Sequence, residues 1–204
     1  MKNVMKRMWI PLVLAIGMGL LAGLVNIFDL TIMSPTGWPI GFYNIFLFFA
    51  VALGGPVGGL SEIIMISMIN SFGPLGWRDM IGPELYWANV ITEGLILLPL
   101  FALGYRLIFK RVKMPLRLLT WIGLIIGFYL LDVVILPLLW WLFEGMAIDA
   151  SFVENIVSGI QSWLPQMITD IIISCLIMLA LPERFRRPLW IDSRATTQPA
   201  EEKA

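Results

Sequence analysis

The sequence predicts an all-α integral membrane protein, a bundle of six transmembrane helices with both termini in the cytoplasm. Three observations carry that reading. The first is composition: 59% of the 204 residues are hydrophobic, only 14% are charged, and the mean hydropathy is +0.86. A soluble domain of this length has too much surface for its volume to hide so much apolar area, whereas lipid accepts it. The second is punctuation: charges and Gly/Pro clusters cut the chain into apolar runs that, at about 20–25 residues per span, are used up by six helices. The third is the placement of Lys and Arg. Every one of them except Arg78 falls on a single side of the six-span arrangement, the pattern of the positive-inside rule.

The spans follow in order as about 9–33, 40–54, 57–72, 85–109, 116–143 and 156–181, which makes residues 1–183 one membrane domain and 184–204 a polar cytoplasmic tail. Lys2, Lys6 and Arg7 precede the first span, whose apolar run is longer than the core of a signal peptide and reads as a retained helix. Ser34-Pro35-Thr36-Gly37-Trp38-Pro39 separates spans one and two, and Gly54-Gly55-Pro56-Val57-Gly58-Gly59 separates two and three. Treating spans two and three as one re-entrant element satisfies the charge rule equally. It leaves the Gly-Gly-Pro turn inside the bilayer, where unpaired backbone groups are costly. Gly73 to Glu84, with Arg78 and Asp79, forms an outer loop. Lys110-Arg111-Val112-Lys113 and Arg184-Phe185-Arg186-Arg187 lie at the cytoplasmic face, where anionic lipid is one neighbour.

Inside the apolar spans stand Glu62, Glu93, Asp132 and Asp170. An ionised group at the bilayer centre costs roughly 2.5–3.5 kcal/mol on insertion scales, so such residues face protein or water and often mark a site. Tyr86, Asn89 and Glu93 recur at i, i+3 and i+7 on the fourth span, and Trp163, Gln166 and Asp170 repeat that spacing on the sixth. Each face offers a ring, then an amide, then a carboxylate. With Asn26 and Asp29 on the first span, they suit a cavity for a small polar molecule with a planar or cationic part. The structural alternative is that the rings are interfacial anchors and the amides join helices.

On the first span Ala15, Gly19 and Gly23 form a stripe of small residues that lets another helix approach, either of this chain or of another subunit. Cys175 stands alone in an apolar run, and the chain has no histidine. There is no HExxH, no GxSxG and no Walker-type loop, so the expectation is a non-enzyme that hydrolyses no ATP and carries no cofactor or metal. Charge gives no sign of a nucleic-acid partner.

With these features the chain resembles the substrate-binding S components of energy-coupling factor (ECF) vitamin transporters of prokaryotic plasma membranes. The stretch Gly54-Gly55-Pro56-Val57-Gly58-Gly59-Leu60-Ser61-Glu62-Ile63-Ile64 is similar to the turn and third helix of members handling thiamine or its hydroxymethylpyrimidine precursor. The resemblance implies a vitamin-like substrate held by Tyr86, Asn89, Glu93, Asp132, Trp163, Gln166 and Asp170, with the loops 34–39 and 73–84 as lids. It also implies a transmembrane coupling subunit that contacts Ala15, Gly19 and Gly23, and cytoplasmic ATPases. The missing histidine argues against nickel and cobalt members. From the residues alone, an accessory subunit of a larger membrane complex and a proton-coupled carrier stay open.

Overall fold

A computed structural model of the chain describes residues 2–28, 30–35, 37, 39–72, 87, 90–109, 114–144 and 150–180. The described part is mostly helical. Helix α1 covers Lys2–Ile27, α2 covers Tyr43–Phe72, and a π-helical turn at Thr92–Leu97 runs directly into α3, Leu98–Phe109. Helices α4, Met114–Glu144, and α5, Ala150–Ala180, follow. Among the described residues three segments are long and apolar enough to cross a membrane: Tyr43–Met65, Pro115–Leu139 and Ser151–Ala180. Leu12–Val25 and Thr92–Tyr105 are shorter apolar helical stretches.

By length and composition Tyr43–Met65 counts as one segment, yet the chain turns back within it. Gly55 adopts φ 66° and ψ −156°, a region open in practice to glycine alone, and Pro56 then begins the next run of helix without needing an N–H partner. A Cβ on Gly58 would lie 2.4 Å from the carbonyl oxygen of Ala50, and one on Gly59 would lie 2.5 Å from Val51 Cγ2. Residues eight apart on a straight helix are separated by about 12 Å. α2 is therefore two arms, residues 43–54 and 56–72, folded against each other, and the breaker read in the sequence is a real reversal.

Neighbouring contacts give each helix its direction. Gly59 faces Leu98 and Gly94 faces Ile63, so the second arm and the π turn with α3 run antiparallel. Tyr105 and Phe101 meet Trp121 and Phe128 in that order, which sets α3 against α4. Trp121 bonds Ser174 and Tyr129 bonds Asp170, which sets α4 against α5. Gly19 of α1 lies on Glu62 and Met65, and Ala15 approaches Gly58, so α1 runs alongside the second arm in the same direction.

Two differences from the sequence reading appear between α1 and α2. The first helix ends at Ile27, and Thr31–Met33 (β1) and Pro39–Gly41 (β2) pair as a short antiparallel ribbon with Ile32 opposite Ile40. Helix thus begins at Tyr43 and not at Ile40. Gly37, at φ 83°, donates its N–H to Ser34 O at 2.9 Å and closes the turn. The tail expected from 184 onward and the outer loop expected at 73–84 lie outside the described residues.

Polarity is distributed opposite to that of a soluble domain. Leu119, Leu130, Leu131, Val134 and Leu142 of α4 are exposed, as are Val153, Ile168, Ile172 and Leu176 of α5. So many exposed large apolar side chains on two helices mark contact with lipid or protein. Meanwhile Asn44, Glu62, Thr92, Asp132, Gln166, Asp170 and Ser174 are buried. Between these lies an aromatic core in which Phe48 stacks on Phe101 at 5.3 Å and meets Phe128 edge-on at 5.2 Å.

Candidate functional site

The buried polar residues meet where the first arm of α2, α4 and α5 converge. Asn44, one residue into the first arm, donates from Nδ2 to the Tyr129 hydroxyl at 2.7 Å. That hydroxyl in turn donates to Oδ2 of Asp170. Gln166, one turn earlier on α5, donates to Asp170 Oδ1 at 3.0 Å. The same amide clasps β2: Gln166 Nε2 donates to Gly41 O at 2.5 Å, and Gly41 N–H donates to Gln166 Oε1 at 2.7 Å. Ribbon, first arm, α4 and α5 are thus joined through one carboxylate. The Trp163 ring lies 6.1 Å from that of Tyr129, tilted by 41°.

Local sequence explains each placement. Gln166 and Asp170 are four apart on a helix and so stack on one face, with Trp163 on the turn before. Tyr129 and Asp132 are three apart on α4. Tyr43 opens the first arm, next to Asn44. Asp132 is buried and its Oδ1 has no hydrogen-bond partner, and the same is true of Asn44 Oδ1. The network is well made around Asp170 and incomplete at these two oxygens. On the flank toward the start of α4 the aromatic layer closes it, where Trp121 Nε1–H donates to Ser174 Oγ at 2.9 Å.

Of the residues singled out in the sequence, Trp163, Gln166 and Asp170 come together, and Asp132 is buried on the adjoining helix. Glu93 is half-buried in the π turn. Tyr86, Asn89, Asp29 and the Asn26 side chain lie outside what the structure describes. Sequence reasoning missed Asn44, Tyr129 and the backbone of Gly41. A signal for Asn44 exists, since it is the only amide in a Phe-rich apolar run. Tyr129 reads as one more aromatic among many.

Ala15 and Gly19 are buried, and the helix lying against them is the second arm of α2 in the same chain. A Cβ on Gly19 would be 2.6 Å from Met65 Cβ and 3.2 Å from Glu62 O. Of the two occupants the sequence leaves open for this stripe, the structure shows the one within the chain. Gly23 is buried too. The outward face of α1 carries Val13, Leu20, Leu21 and Leu24.

The site is an uncharged-donor cradle around carboxylates: two amides, a phenol and an indole face, with open acceptor valences. It can hold a group that donates hydrogen bonds or carries positive charge. No protein-family model, curated protein or solved structure matches the chain, so its reading rests on this geometry.

Proposed function

We propose that the chain is a six-span membrane protein with cytoplasmic termini that captures a small polar molecule from outside, as the S components of ECF importers do. One observation carries the proposal: a buried hydrogen-bonded network centred on Asp170 whose neighbouring acceptors, Asn44 Oδ1 and Asp132 Oδ1, have no partner. A network kept for stability alone is better completed or replaced by apolar packing, because a half-satisfied one is costly in low dielectric. Open acceptors beside buried carboxylates fit a ligand that supplies donors and positive charge.

In this reading the two arms of α2 each cross the membrane, and the turn at Gly55 faces the basic, cytoplasmic side. The ligand enters from the side of the β ribbon. Asp132 and Asp170 pair with its positive part, Asn44 and Gln166 orient it, and Trp163 and Tyr129 lie against its planar face. Glu93 adds a further negative charge at the rim, and Asn89 and Tyr86, four and seven residues before it in the sequence, are assigned to the same site. A cationic heteroaromatic molecule of the thiamine type matches this chemistry. Release to the cytoplasm then falls to a transmembrane coupling subunit with ATPases, in a prokaryotic plasma membrane. Because the Ala15–Gly23 stripe faces α2, that subunit is assigned the outward leucine face of α1.

The test is thermal unfolding of the detergent-purified protein against a panel of vitamins and their precursors, thiamine and hydroxymethylpyrimidine first. A ligand at 100 times its dissociation constant stabilises by about 2.7 kcal/mol. The expected result is a single class of hits, lost in Asp170→Asn and in Gln166→Ala. A flat panel, with stability changed only by protein subunits that co-purify, points to an accessory role and overturns the proposal.

A further inference from the structure

Glu62 takes no part in the network around Asp170. It lies on the second arm of α2, 1% exposed, and both carboxylate oxygens are buried without a hydrogen-bond partner. Its direction follows from Gly58, one turn earlier on the same helix face. A Cβ on Gly58 would meet Ala50 O of the first arm at 2.4 Å and Ala15 Cβ of α1 at 4.0 Å. Glu62 therefore points into the seam between α1 and the first arm, and Gly19 lies over its backbone oxygen. Helix α1 lines that seam with Ala15, Gly19 and Ala22, and the first arm lines it with Leu47 and Ala50, all of them buried. None of these side chains can donate a hydrogen bond.

Charged and titratable groups on the surrounding elements do not repair this. On α1 the basic residue nearest in sequence is Arg7, eight positions before Ala15 and so about 12 Å along the axis. The first arm carries Tyr43, seven positions before Ala50, about 10 Å away toward the Asp170 network. Helix α3 meets Gly59 at Leu98, and its Tyr105 packs on Trp121. Arg106 follows, about 12 Å along the axis from Leu98. The π turn, which packs on Ile63 through Gly94, carries Glu93, an acid that offers an anion no relief. Glu62 is the one charged residue of its own arm. An ion buried without a partner costs far more than a neutral acid in the same place.

We propose that Glu62 is a proton-binding site that latches α1 onto the second arm of α2. With its proton the carboxyl is neutral and the seam stays shut. When the proton passes to water, the anion left behind needs hydration, which only an opened seam can give. A proton requires neither a cavity nor further ligands, so the packed seam suffices to hold it. The latch stands apart from the small-molecule reading and survives its failure.

The test uses the full-length chain in detergent, unfolded at a series of pH values from 5 to 8. A glutamate of the unfolded chain releases its proton above pH about 4.3. The latched one keeps it, so stability falls as pH rises. The expected result is an unfolding constant that climbs in the wild-type chain, relative to Glu62→Gln, by up to about tenfold per pH unit, the effect of one proton. Ala22→Cys in a Cys175→Ser background reports the seam itself. Its labelling by a maleimide is expected to accelerate from pH 6 to pH 8 more with Glu62 present than with Glu62→Gln, which carries the thiol's own pH dependence. Dicyclohexylcarbodiimide, an apolar reagent that attacks protonated carboxyl groups, is expected to add its mass to Glu62 of the wild-type chain at pH 6. That measurement keeps the proposal testable if Glu62→Gln fails to fold. Equal pH dependence of unfolding in wild type and Glu62→Gln, labelling at position 22 that accelerates equally in both, or Glu62 left unmodified by the carbodiimide overturns it.

Discussion

Tyr129→Phe removes one oxygen atom and keeps the ring, so it isolates the hydroxyl that joins α4 to α2 and α5. That hydroxyl accepts from Asn44 at 2.7 Å and donates to Asp170. Side-chain hydrogen bonds between membrane helices average only about 0.6 kcal/mol, because the unfolded chain in the micelle also finds partners. Two such bonds set a floor of about 1.2 kcal/mol. Two further losses raise it. Asn44 Oδ1 already lacks a partner, so the mutation strips the whole amide, and an orphaned buried donor costs about 1–3 kcal/mol. Asp170 keeps Gln166 but loses its phenol donor. The expected destabilisation is about 2–4 kcal/mol, measured by equilibrium unfolding in mixed micelles. The partial network also predicts non-additivity: Asn44→Ala on top of Tyr129→Phe costs less than it does alone. A loss below about 0.5 kcal/mol, the size of an ordinary surface change, would refute the claim that Asp170 organises these helices.

Other expectations follow from packing and orientation. Leu130→Lys, at a position 48% exposed midway along α4, is expected to cost roughly 2.5–3.5 kcal/mol of insertion or stability if that face meets lipid; a soluble surface would tolerate it, and expression with unfolding midpoint distinguishes the two. Gly58→Ala drives a methyl group to 2.4 Å from the Ala50 carbonyl and is expected to lose about 1–3 kcal/mol or more by overpacking, seen as a lowered midpoint, whereas Gly17→Ala, with nothing within 4 Å, is neutral. Green fluorescent protein fused after Ala204 is expected to fluoresce, and alkaline phosphatase fused in the 34–38 loop to be active; the reverse pattern would invert the topology.

Much of this architecture is legible because lipid imposes simple rules. Charges cannot be left in mid-span cheaply, so the basic cluster at 106–117 locates the break between α3 and α4, and the Gly-Gly-Pro run locates the reversal that the structure places at Gly55. The Gln166–Asp170 pair is legible because spacing within one helix fixes a shared face. What spacing leaves open is the rotation of one helix relative to the next. That is why Asn44 and Tyr129, which complete the Asp170 network from two other helices, were not found. The β ribbon left no trace because strands of three residues are too short to show alternation. The π turn is equally silent, since widening a helix by one residue at Glu93 needs no particular side chain. For the small-residue stripe, sequence gave the close approach and only the fold gave its occupant.

The most direct test of a binding site at this network needs no prior guess of the ligand. The wild-type chain and an Asp170→Asn, Gln166→Ala double variant are purified gently from the host membrane and weighed by native mass spectrometry after release from the micelle. The account predicts a small-molecule mass retained by the wild-type chain and absent from the variant, at equal folding. Bare chain in both samples, even after exposure to host extract, or the same adduct retained by the variant, would contradict it.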